Sequence, residues 1–167
     1  MSVSPFDRLR SPDTSICIER VGVESLEAAF YLLRRFFVEE GFDTPADKMR
    51  ASLATMLASE RSAVFVARRG GEALGVATVT TSLGVEYGLV AEMEDLYVLP
   101  QARGEGAARR LIEAVCDWCR EQGCTAVLVT VTPEGEAAHG LLEFYRRRGF
   151  ANTGRLVLEQ SLQTSGD

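Results

Sequence analysis

The chain has 167 residues and a net charge of −6, with 46% apolar and 25% charged residues. This length suits one domain with a sizeable core, and the acidic balance argues against nucleic acid as the main partner, since phosphate binding needs a basic surface. No apolar run is long enough to predict a membrane span, and the polar N-terminal stretch lacks the apolar core of a secretion signal, which favours a cytoplasmic protein.

Hydrophobic periodicity, with glycine and proline at the boundaries, divides the chain into alternating strands and helices. The predicted elements, in chain order, are a strand at 15–21, helices at 24–40 and 45–58, strands at 63–68, 73–81 and 89–98, a helix at 105–122, a strand at 125–132, a helix at 133–147 and a strand at 155–162. Residues 1–14 are predicted to be a loose arm, residues 15–162 one domain, and residues 163–167 a polar tail.

In three of the predicted segments, particular residues indicate the local structure. The first long helix ends at Gly41, a residue that suits the left-handed end of a helix. The stretch 125–132 is nearly all apolar and β-branched, which is typical of a strand buried on both faces. Glycine residues at 84 and 88 predict a loop over 82–88.

Four cysteines occur, and the spacing of Cys116 and Cys119 would suit a metal or redox pair. Both lie in the middle of a predicted helix, whereas a redox pair normally begins at a helix N-terminus. The only histidine is His139, so further metal ligands are scarce. We therefore expect structural cysteines, no metal site and a reducing compartment.

The stretch from Glu92 to Leu111 organises the chain. A strand ends before Pro100, a tight loop follows, and apolar residues recur with helical spacing from Ala107. A helix N-terminus presents unpaired N–H groups and a partial positive charge, and glycine lets a ligand approach the backbone. The pattern predicts a phosphate or pyrophosphate site, with Arg103 adding a charge-assisted bond.

The loop pattern Gln101-x-x-Gly104-x-Gly106-Ala107 resembles the acetyl-coenzyme A loop of the GNAT superfamily of N-acetyltransferases, in which it reads Gln/Arg-x-x-Gly-x-Gly/Ala. The predicted order β-α-α-β-β-β-α-β-α-β over residues 15–162 is similar to the fold of that family, a mixed α/β sheet in which strands four and five run parallel and splay apart. The resemblance implies that acetyl-coenzyme A is the co-substrate. It also implies contacts from the backbone of the fourth strand and from the loop, at Leu96, Tyr97, Val98, Gln101, Arg103, Gly104, Glu105, Gly106, Ala107 and Ala108.

A second motif, Phe144-Tyr-Arg-Arg-Arg-Gly-Phe150, resembles the family element in which a tyrosine reaches the cofactor sulfur. The resemblance implies that Tyr145 is the general acid that protonates the leaving thiolate. The alternative is a tyrosine packed at a helix end with its hydroxyl in water. Ala138 stands where the family often has an asparagine that supports the cofactor arm, and the neighbouring His139 is expected to be structural or solvent-facing.

Three carboxylates precede the loop on the predicted fourth strand. In a regular strand Glu92 and Glu94 share one face and Asp95 points to the other. A protonated amine must lose a proton before it attacks, and a carboxylate can accept that proton. The resemblance implies that Glu94 or Glu92 is this base, with Glu94 ahead because Glu-Asp-Leu-Tyr-Val resembles members that acetylate small amines. A salt-bridged Glu94 within the sheet is the structural alternative.

The acceptor site is expected at the end of the first helix and the loop after it. Phe37, Glu40 and Phe42 combine acid and aromatic surface, which suits a cationic amine, and Tyr87 is a further candidate. A solvated helix end explains the same residues without a ligand.

The resemblance implies direct transfer of an acetyl group to a primary amine of a small molecule, such as an aminoglycoside, a polyamine or an amino-acid derivative, with both substrates bound together. Alternatives are acetylation of a protein N-terminus or lysine, and a non-catalytic sensor of acyl-coenzyme A. Because family members often dimerise, a homodimer is a further expectation.

Overall fold

The computed structural model describes residues 15–162, so the predicted arm at 1–14 and the predicted tail at 163–167 lie outside the described residues. The chain divides into two compact units, Met1–Thr130 and Val131–Asp167. Among residues 15–162, no helix is long and apolar enough to cross a bilayer.

The first unit contains a mixed sheet with its strands in sequence order. Neighbouring strands run antiparallel from the first to the fourth, and the fourth and fifth run parallel. The strands are β1 (Cys17–Val21), β2 (Ser62–Arg69), β3 (Glu72–Gly84), β4 (Gly88–Val98) and β5 (Val127–Leu128). The parallel pair joins only Ala91 to Val127 and Glu92 to Leu128, and β4 then continues to Val98, as expected for splayed strands.

The described part of this unit, residues 15–130, contains three α-helices, and a short 3₁₀ turn precedes the first. They are α1 (Leu26–Glu40), α2 (Ala46–Ala58) and α3 (Ala107–Glu121). Gly41 closes α1 in the left-handed conformation, with φ +76°, as its residue type predicts, because only glycine adopts this conformation without a steric cost. The start of α3 lies at Ala107 rather than near Glu105, since Gly106 takes the N-cap position.

The sheet is buried on both faces, because its inner strands alternate between two cores. One core joins α1 and α2 to the sheet and contains Leu32, Leu53, Val64, Val76 and Tyr97. The intervening positions of the same strands face α3, whose buried stripe is formed by Leu111, Ile112, Val115, Trp118 and Cys119.

A β-bulge interrupts β4 at Glu94. Asp95 is registered with Thr78 and Met93 with Val79, so Glu94 is the additional residue. Thr78 and Thr80 lie on one face of β3, and they donate hydrogen bonds to Asp95 and Glu94 respectively. The expectation that Asp95 points away from Glu94 is therefore wrong, because the bulge turns both carboxylates to the same face.

The hairpin between β3 and β4 is tighter than predicted. Both strands extend into the predicted loop at 82–88, and the turn is confined to residues 85–87. Cross-strand pairing down to Gly84 and Gly88 overrides the turn tendency of these two glycines.

Three predicted features near the C-terminus are wrong. The paired strand at 125–132 is reduced to β5, whose Leu128 is exposed, because among the described residues β5 lies at the edge of the sheet and pairs with β4 alone. The predicted helix at 133–147 is interrupted at Gly140, whose φ of +61° separates α4 (Pro133–His139) from α5 (Leu141–Arg146). Residues 155–162 form no strand, and Leu156 and Leu158 are exposed, since a strand requires a hydrogen-bonding partner.

Candidate active site

The loop between β4 and α3 leads into a helix start that has no side-chain cap. Gly104 and Gly106 have φ angles of +81° and +87°, in the region that favours glycine. An added Cβ at either position meets nothing within 4 Å, so the requirement for glycine there is conformational. As the N-cap of α3, Gly106 has no side chain to bond the first helical N–H groups, and the first turn carries no acidic residue. This end of α3 is therefore suited to an anion.

The family pattern Gln/Arg-x-x-Gly-x-Gly/Ala also fits the chain in a second register, Arg103-x-x-Gly106-x-Ala108. In this register its glycine is the N-cap residue of α3, where the unpaired N–H groups begin. The sequence alone does not choose between the two registers, because glycine occurs at both 104 and 106.

Two charged side chains of the loop, Glu105 and Arg103, have partners within the protein. Glu105 forms an ion pair with Arg69, and Gln101 is exposed. Arg103 turns back to α1, where it forms an ion pair with Glu39. Its Nε also donates a 3.0 Å hydrogen bond to the carbonyl oxygen of Val98.

The backbone of Leu96, Tyr97 and Val98 lies at the open part of β4. Within the described range, β5 pairs with β4 only at Ala91 and Glu92. One backbone edge of β4 beyond those residues is thus available for an extended ligand, the arrangement predicted for the cofactor arm.

Glu94 and Glu92 each accept one hydrogen bond from a threonine hydroxyl. Thr80 Oγ1 lies 2.5 Å from Glu94 Oε1, and Thr130 Oγ1 lies 2.8 Å from Glu92 Oε1. Glu94 is exposed and Glu92 is half-buried. Exposure leaves the Glu94 carboxylate within reach of a ligand, and its partner is Thr80 rather than a cation of the sheet.

Asp95 lies on the same face as Glu94, although the alternation of side chains in a regular strand predicts that it lies on the opposite face. Its Oδ2 accepts a 2.5 Å hydrogen bond from Thr78, which is fully buried. Burial raises the pKa of the Asp95 carboxyl, the Thr78 bond opposes the rise, and the charge of Glu94 adds to it. The bulge that brings the two acids together produces no pattern in the sequence that could have revealed it.

The C-terminal end of α1 carries a cluster of aromatic rings. Phe36, Phe37 and Phe42 pack edge-to-face, with ring centroids 5.2–5.7 Å apart, and Phe36 also lies 5.6 Å from the ring of Tyr97. Phe42 is half exposed. Glu40 is the last residue of α1, directly before Gly41, and the acceptor wall predicted for Phe37, Glu40 and Phe42 stays a prediction.

Glu39 connects this wall to the cofactor loop. The Tyr97 hydroxyl donates a 3.0 Å hydrogen bond to Glu39 Oε2, while Arg103 bonds the other carboxylate oxygen. Burial raises the pKa of Tyr97, as do the bond and charge of Glu39, while Arg35 and Arg103 oppose the rise. No sequence signal pointed to Glu39 in particular, because its partners are 58 and 64 residues away.

Tyr87 lies in the turn between β3 and β4 and is half exposed. The Thr125 hydroxyl donates a 2.8 Å hydrogen bond to its carbonyl oxygen. This places Tyr87 at the far end of β4 from the cofactor loop, within the first unit.

In the second unit, Tyr145 lies on α5 between two aromatic rings. Its ring centroid is 5.1 Å from that of Phe144 and 5.3 Å from that of Phe150. Burial raises the pKa of Tyr145 to about 12, against the opposing charge of Arg148. The hydroxyl therefore keeps its proton at neutral pH, which a general acid requires.

The cysteines have thiols that resist ionisation. Burial raises the pKa of Cys119 to about 12 and also raises that of Cys116. Neither is a thiolate near neutral pH, so neither is suited to act as a nucleophile. Among residues 15–162, no group of three or more His, Cys, Asp or Glu side chains could hold a metal ion.

Comparison with known proteins identifies relatives along most of the chain. A curated relative from Stenotrophomonas maltophilia, aminoglycoside N(6')-acetyltransferase type 1, is 35% identical over 117 residues, which cover 67% of this chain and 74% of the relative. Integron cassette protein HFX_CASS3, a solved structure from a salt-marsh metagenome, is 26% identical with a TM-score of 0.77, covering 88% of this chain and 91% of its own.

A second solved structure shares the fold at lower identity. Aminoglycoside N-acetyltransferase AAC(6')-Iy, in complex with a bisubstrate analogue of coenzyme A and acetylneamine, is 24% identical with a TM-score of 0.76, over 88% of this chain and 98% of its own. The model of the Acetyltransferase (GNAT) family matches residues 26–150. The chain belongs to the GNAT family of acetyltransferases.

Proposed function

We propose that this acetyl-coenzyme A-dependent N-acetyltransferase transfers its acetyl group to a primary amine of an aminoglycoside. The observation that carries the proposal is the β4 bulge, which presents Glu94 and Asp95 on one face of the sheet. Aminoglycosides carry several ammonium groups, and the exposed carboxylate of Glu94 attracts such a polycation. The curated relative from Stenotrophomonas maltophilia acts on this class of compound.

Acetyl-coenzyme A would lie with its pyrophosphate at the N-terminus of α3 and its arm along β4. The uncapped N–H groups that follow Gly106 support the first placement, and the open edge at Leu96, Tyr97 and Val98 supports the second. We favour the register Arg103-x-x-Gly106-x-Ala108 for the loop, because it aligns the family glycine with the helix start. Gln101, Gly104, Glu105 and Ala107 remain proposed neighbours of the cofactor.

In the proposed reaction, both substrates bind together and no acyl-enzyme forms. Glu94 takes a proton from the ammonium group, directly or through water, and Glu92 is the alternative base. The freed nitrogen attacks the thioester carbonyl, the C–N bond forms, and the C–S bond breaks. Tyr145 protonates the departing thiolate, and the products are the acetamide and coenzyme A.

The acceptor would lie against Phe37, Glu40 and Phe42, with Tyr87 as a further contact. Half-exposed Phe42 offers a ring face to an ammonium group. The curated relative is named for acetylation of aminoglycosides, which favours a small-molecule amine over a peptide as the acceptor. The exposed carboxylate of Glu94 on β4 favours an enzyme over a non-catalytic sensor.

Three broader features belong to the same proposal. We infer one acetyltransferase domain over residues 15–162, since the family match runs across residues 26–150. A homodimer is supported by the exposed apolar side chains of Leu156 and Leu158, and light scattering would test it. The cytoplasm is the proposed location, because acetyl-coenzyme A is supplied there.

Calorimetric titration with acetyl-coenzyme A, followed by assays of thiol release, tests the proposal. We expect micromolar cofactor binding, and turnover with aminoglycosides that exceeds turnover with polyamines, amino acids or peptides. Desulfo-coenzyme A should bind but support no turnover. Binding without turnover of any amine would favour the sensor, while faster turnover of peptides would overturn the small-molecule acceptor.

A further inference from the structure

Glu105 is an acidic residue beside the proposed pyrophosphate site. It lies between Gly104 and Gly106, directly before the N-cap of α3. The start of α3 has no side-chain cap, and its partial positive charge attracts a carboxylate as it attracts a phosphate. A carboxylate at this position therefore competes with the pyrophosphate for the helix end.

Arg69 binds this carboxylate from a different part of the sheet. It is the last residue of β2, and it is registered with Glu72 at the start of β3. Its Nη2 donates a hydrogen bond to Glu105 Oε2, in an ion pair between residues 36 positions apart. The Glu105 carboxylate is thus held at the hairpin of β2 and β3, while the start of α3 stays uncapped.

Stability does not account for an arginine at position 69. The side chains of Arg69 and Glu105 are 33% and 42% exposed, and ion pairs in such positions stabilise a fold little. The Nε of Arg69 is buried and has no hydrogen-bond partner within residues 15–162, and a buried donor without a partner is destabilising. The benefit of Arg69 is therefore expected at the loop before α3.

We propose that Arg69 is a positioning residue of the cofactor site, which keeps the Glu105 carboxylate away from the pyrophosphate. This inference rests on the proposed function, in which acetyl-coenzyme A lies at the N-terminus of α3. Arg69 neutralises the charge of Glu105 and holds its carboxylate at the hairpin, so the N–H groups that follow Gly106 remain open to the cofactor. Without Arg69, the carboxylate approaches the helix end and repels the pyrophosphate.

Calorimetric titration with coenzyme A, on variants of this ion pair, tests the inference. Arg69→Gln should weaken binding by about fivefold, the effect of one unit charge at close range in water, and the loss should shrink as the salt concentration rises. Glu105→Ala should bind at least as tightly as the unmodified protein. The double variant should regain the affinity of the unmodified protein, because the carboxylate that Arg69 restrains is gone.

Arg68→Gln is the matched control, because Arg68 lies next to Arg69 on β2 but pairs with Glu19. It should bind coenzyme A as the unmodified protein does. Arg69→Gln should keep its melting temperature within about 2 °C of the unmodified protein, so that its weaker binding does not come from unfolding. 3′-Dephospho-coenzyme A retains the pyrophosphate and should show the same loss with Arg69→Gln.

Three results would overturn the inference and leave the proposed cofactor intact. They are normal binding by Arg69→Gln, a double variant as weak as Arg69→Gln, and a loss that disappears with 3′-dephospho-coenzyme A. The second result would mean that Arg69 acts independently of Glu105, and the third that it acts on the 3′-phosphate. Failure of the unmodified protein to bind coenzyme A would instead overturn the proposed cofactor, and this inference with it.

Discussion

The Asp95 carboxyl is buried next to the charge of Glu94, so its ionised form is costly. A raised pKa means that the folded state holds this proton more tightly than the unfolded chain does. The ionised carboxylate therefore destabilises the fold above its pKa, and the penalty is lifted as the pH falls through that pKa.

We expect Asp95→Asn to stabilise the protein at pH 7, because the amide oxygen still accepts the Thr78 bond and the buried charge is gone. The melting temperature should rise by about 2–4 °C, the shift that roughly 1 kcal/mol produces in a domain of this size. The gain should shrink as the pH falls towards 3.8, the ordinary pKa of an aspartate in an unfolded chain. Asp117→Asn, at an exposed position, should show no such trend, and a gain independent of pH would contradict the explanation.

Tyr145 is the proposed acid, and its raised pKa keeps the hydroxyl protonated through the neutral and mildly alkaline range. Replacing it with phenylalanine should lower kcat by about 100-fold, the lower end of general acid catalysis, with little change in KM for acetyl-coenzyme A. Steady-state kinetics would measure both constants. Tyr31→Phe, which removes an exposed hydroxyl from α1, is the control, and equal kcat values for the two variants would remove Tyr145 from the mechanism.

At the scale of elements, the β4 bulge depends on two threonines of β3 that differ in burial. Thr78→Val would leave the buried Asp95 carboxyl without its donor and should cost about 1–3 kcal/mol of unfolding free energy. Thr80→Val should cost less than about 0.5 kcal/mol, since Glu94 can bond water instead. Urea unfolding would compare them, and equal costs would mean that burial of Asp95 does not matter.

The two ends of α3 allow a matched test of the anion site. Gly106 and Gly123 both have positive φ angles, +87° and +81°, so a glutamate strains the backbone similarly at either end. Gly106→Glu should weaken coenzyme A binding by at least about 100-fold, a loss of roughly 2.7 kcal/mol, because a carboxylate repels the pyrophosphate. Gly123→Glu should bind normally, and titration calorimetry would distinguish the two results.

Gly104→Glu separates the two registers of the family pattern. Gly104 comes two residues before the N-cap, so a smaller loss than that of Gly106→Glu would support the register Arg103-x-x-Gly106-x-Ala108. A larger loss at Gly104 would favour the register that begins at Gln101.

At the scale of the whole molecule, a cofactor that binds only the folded state raises its stability. At 100 times its dissociation constant, acetyl-coenzyme A should add about 2.7 kcal/mol and raise the melting temperature by roughly 5–10 °C. Thermal unfolding at increasing cofactor concentration would measure this shift. The Gly106→Glu variant should shift by no more than about 1–2 °C at the same concentration, so a similar shift in both proteins would place the cofactor elsewhere.

Much of the fold was predictable because it depends on local rules. Gly41 ends α1 because a left-handed residue is needed there, and the alternating and helical periodicities indicated β2, β4 and α3. The course of the loop before α3 was predictable for the same reason, since the strand, the turn glycines and the helix follow one another directly in the chain.

Tertiary structure decided the features that depend on distant pairing. The bulge at Glu94 exists because β4 has one residue more than β3 where the two strands pair. No periodic pattern within β4 indicates this additional residue. The ion pair of Arg103 with Glu39 joins residues 64 positions apart. The bulge and the ion pair both bring together side chains that are not neighbours in the predicted elements.

Neighbouring residues were enough to indicate the order of most elements, the glycine loop and the resemblance to the GNAT family. Contacts between distant segments were needed for three other features: Asp95 lies with Glu94 on one face, Arg103 pairs with Glu39, and residues 155–162 form no strand. Hydrogen bonds and ion pairs between distant segments depend on how those segments pack against each other, and local residue preferences do not specify that packing.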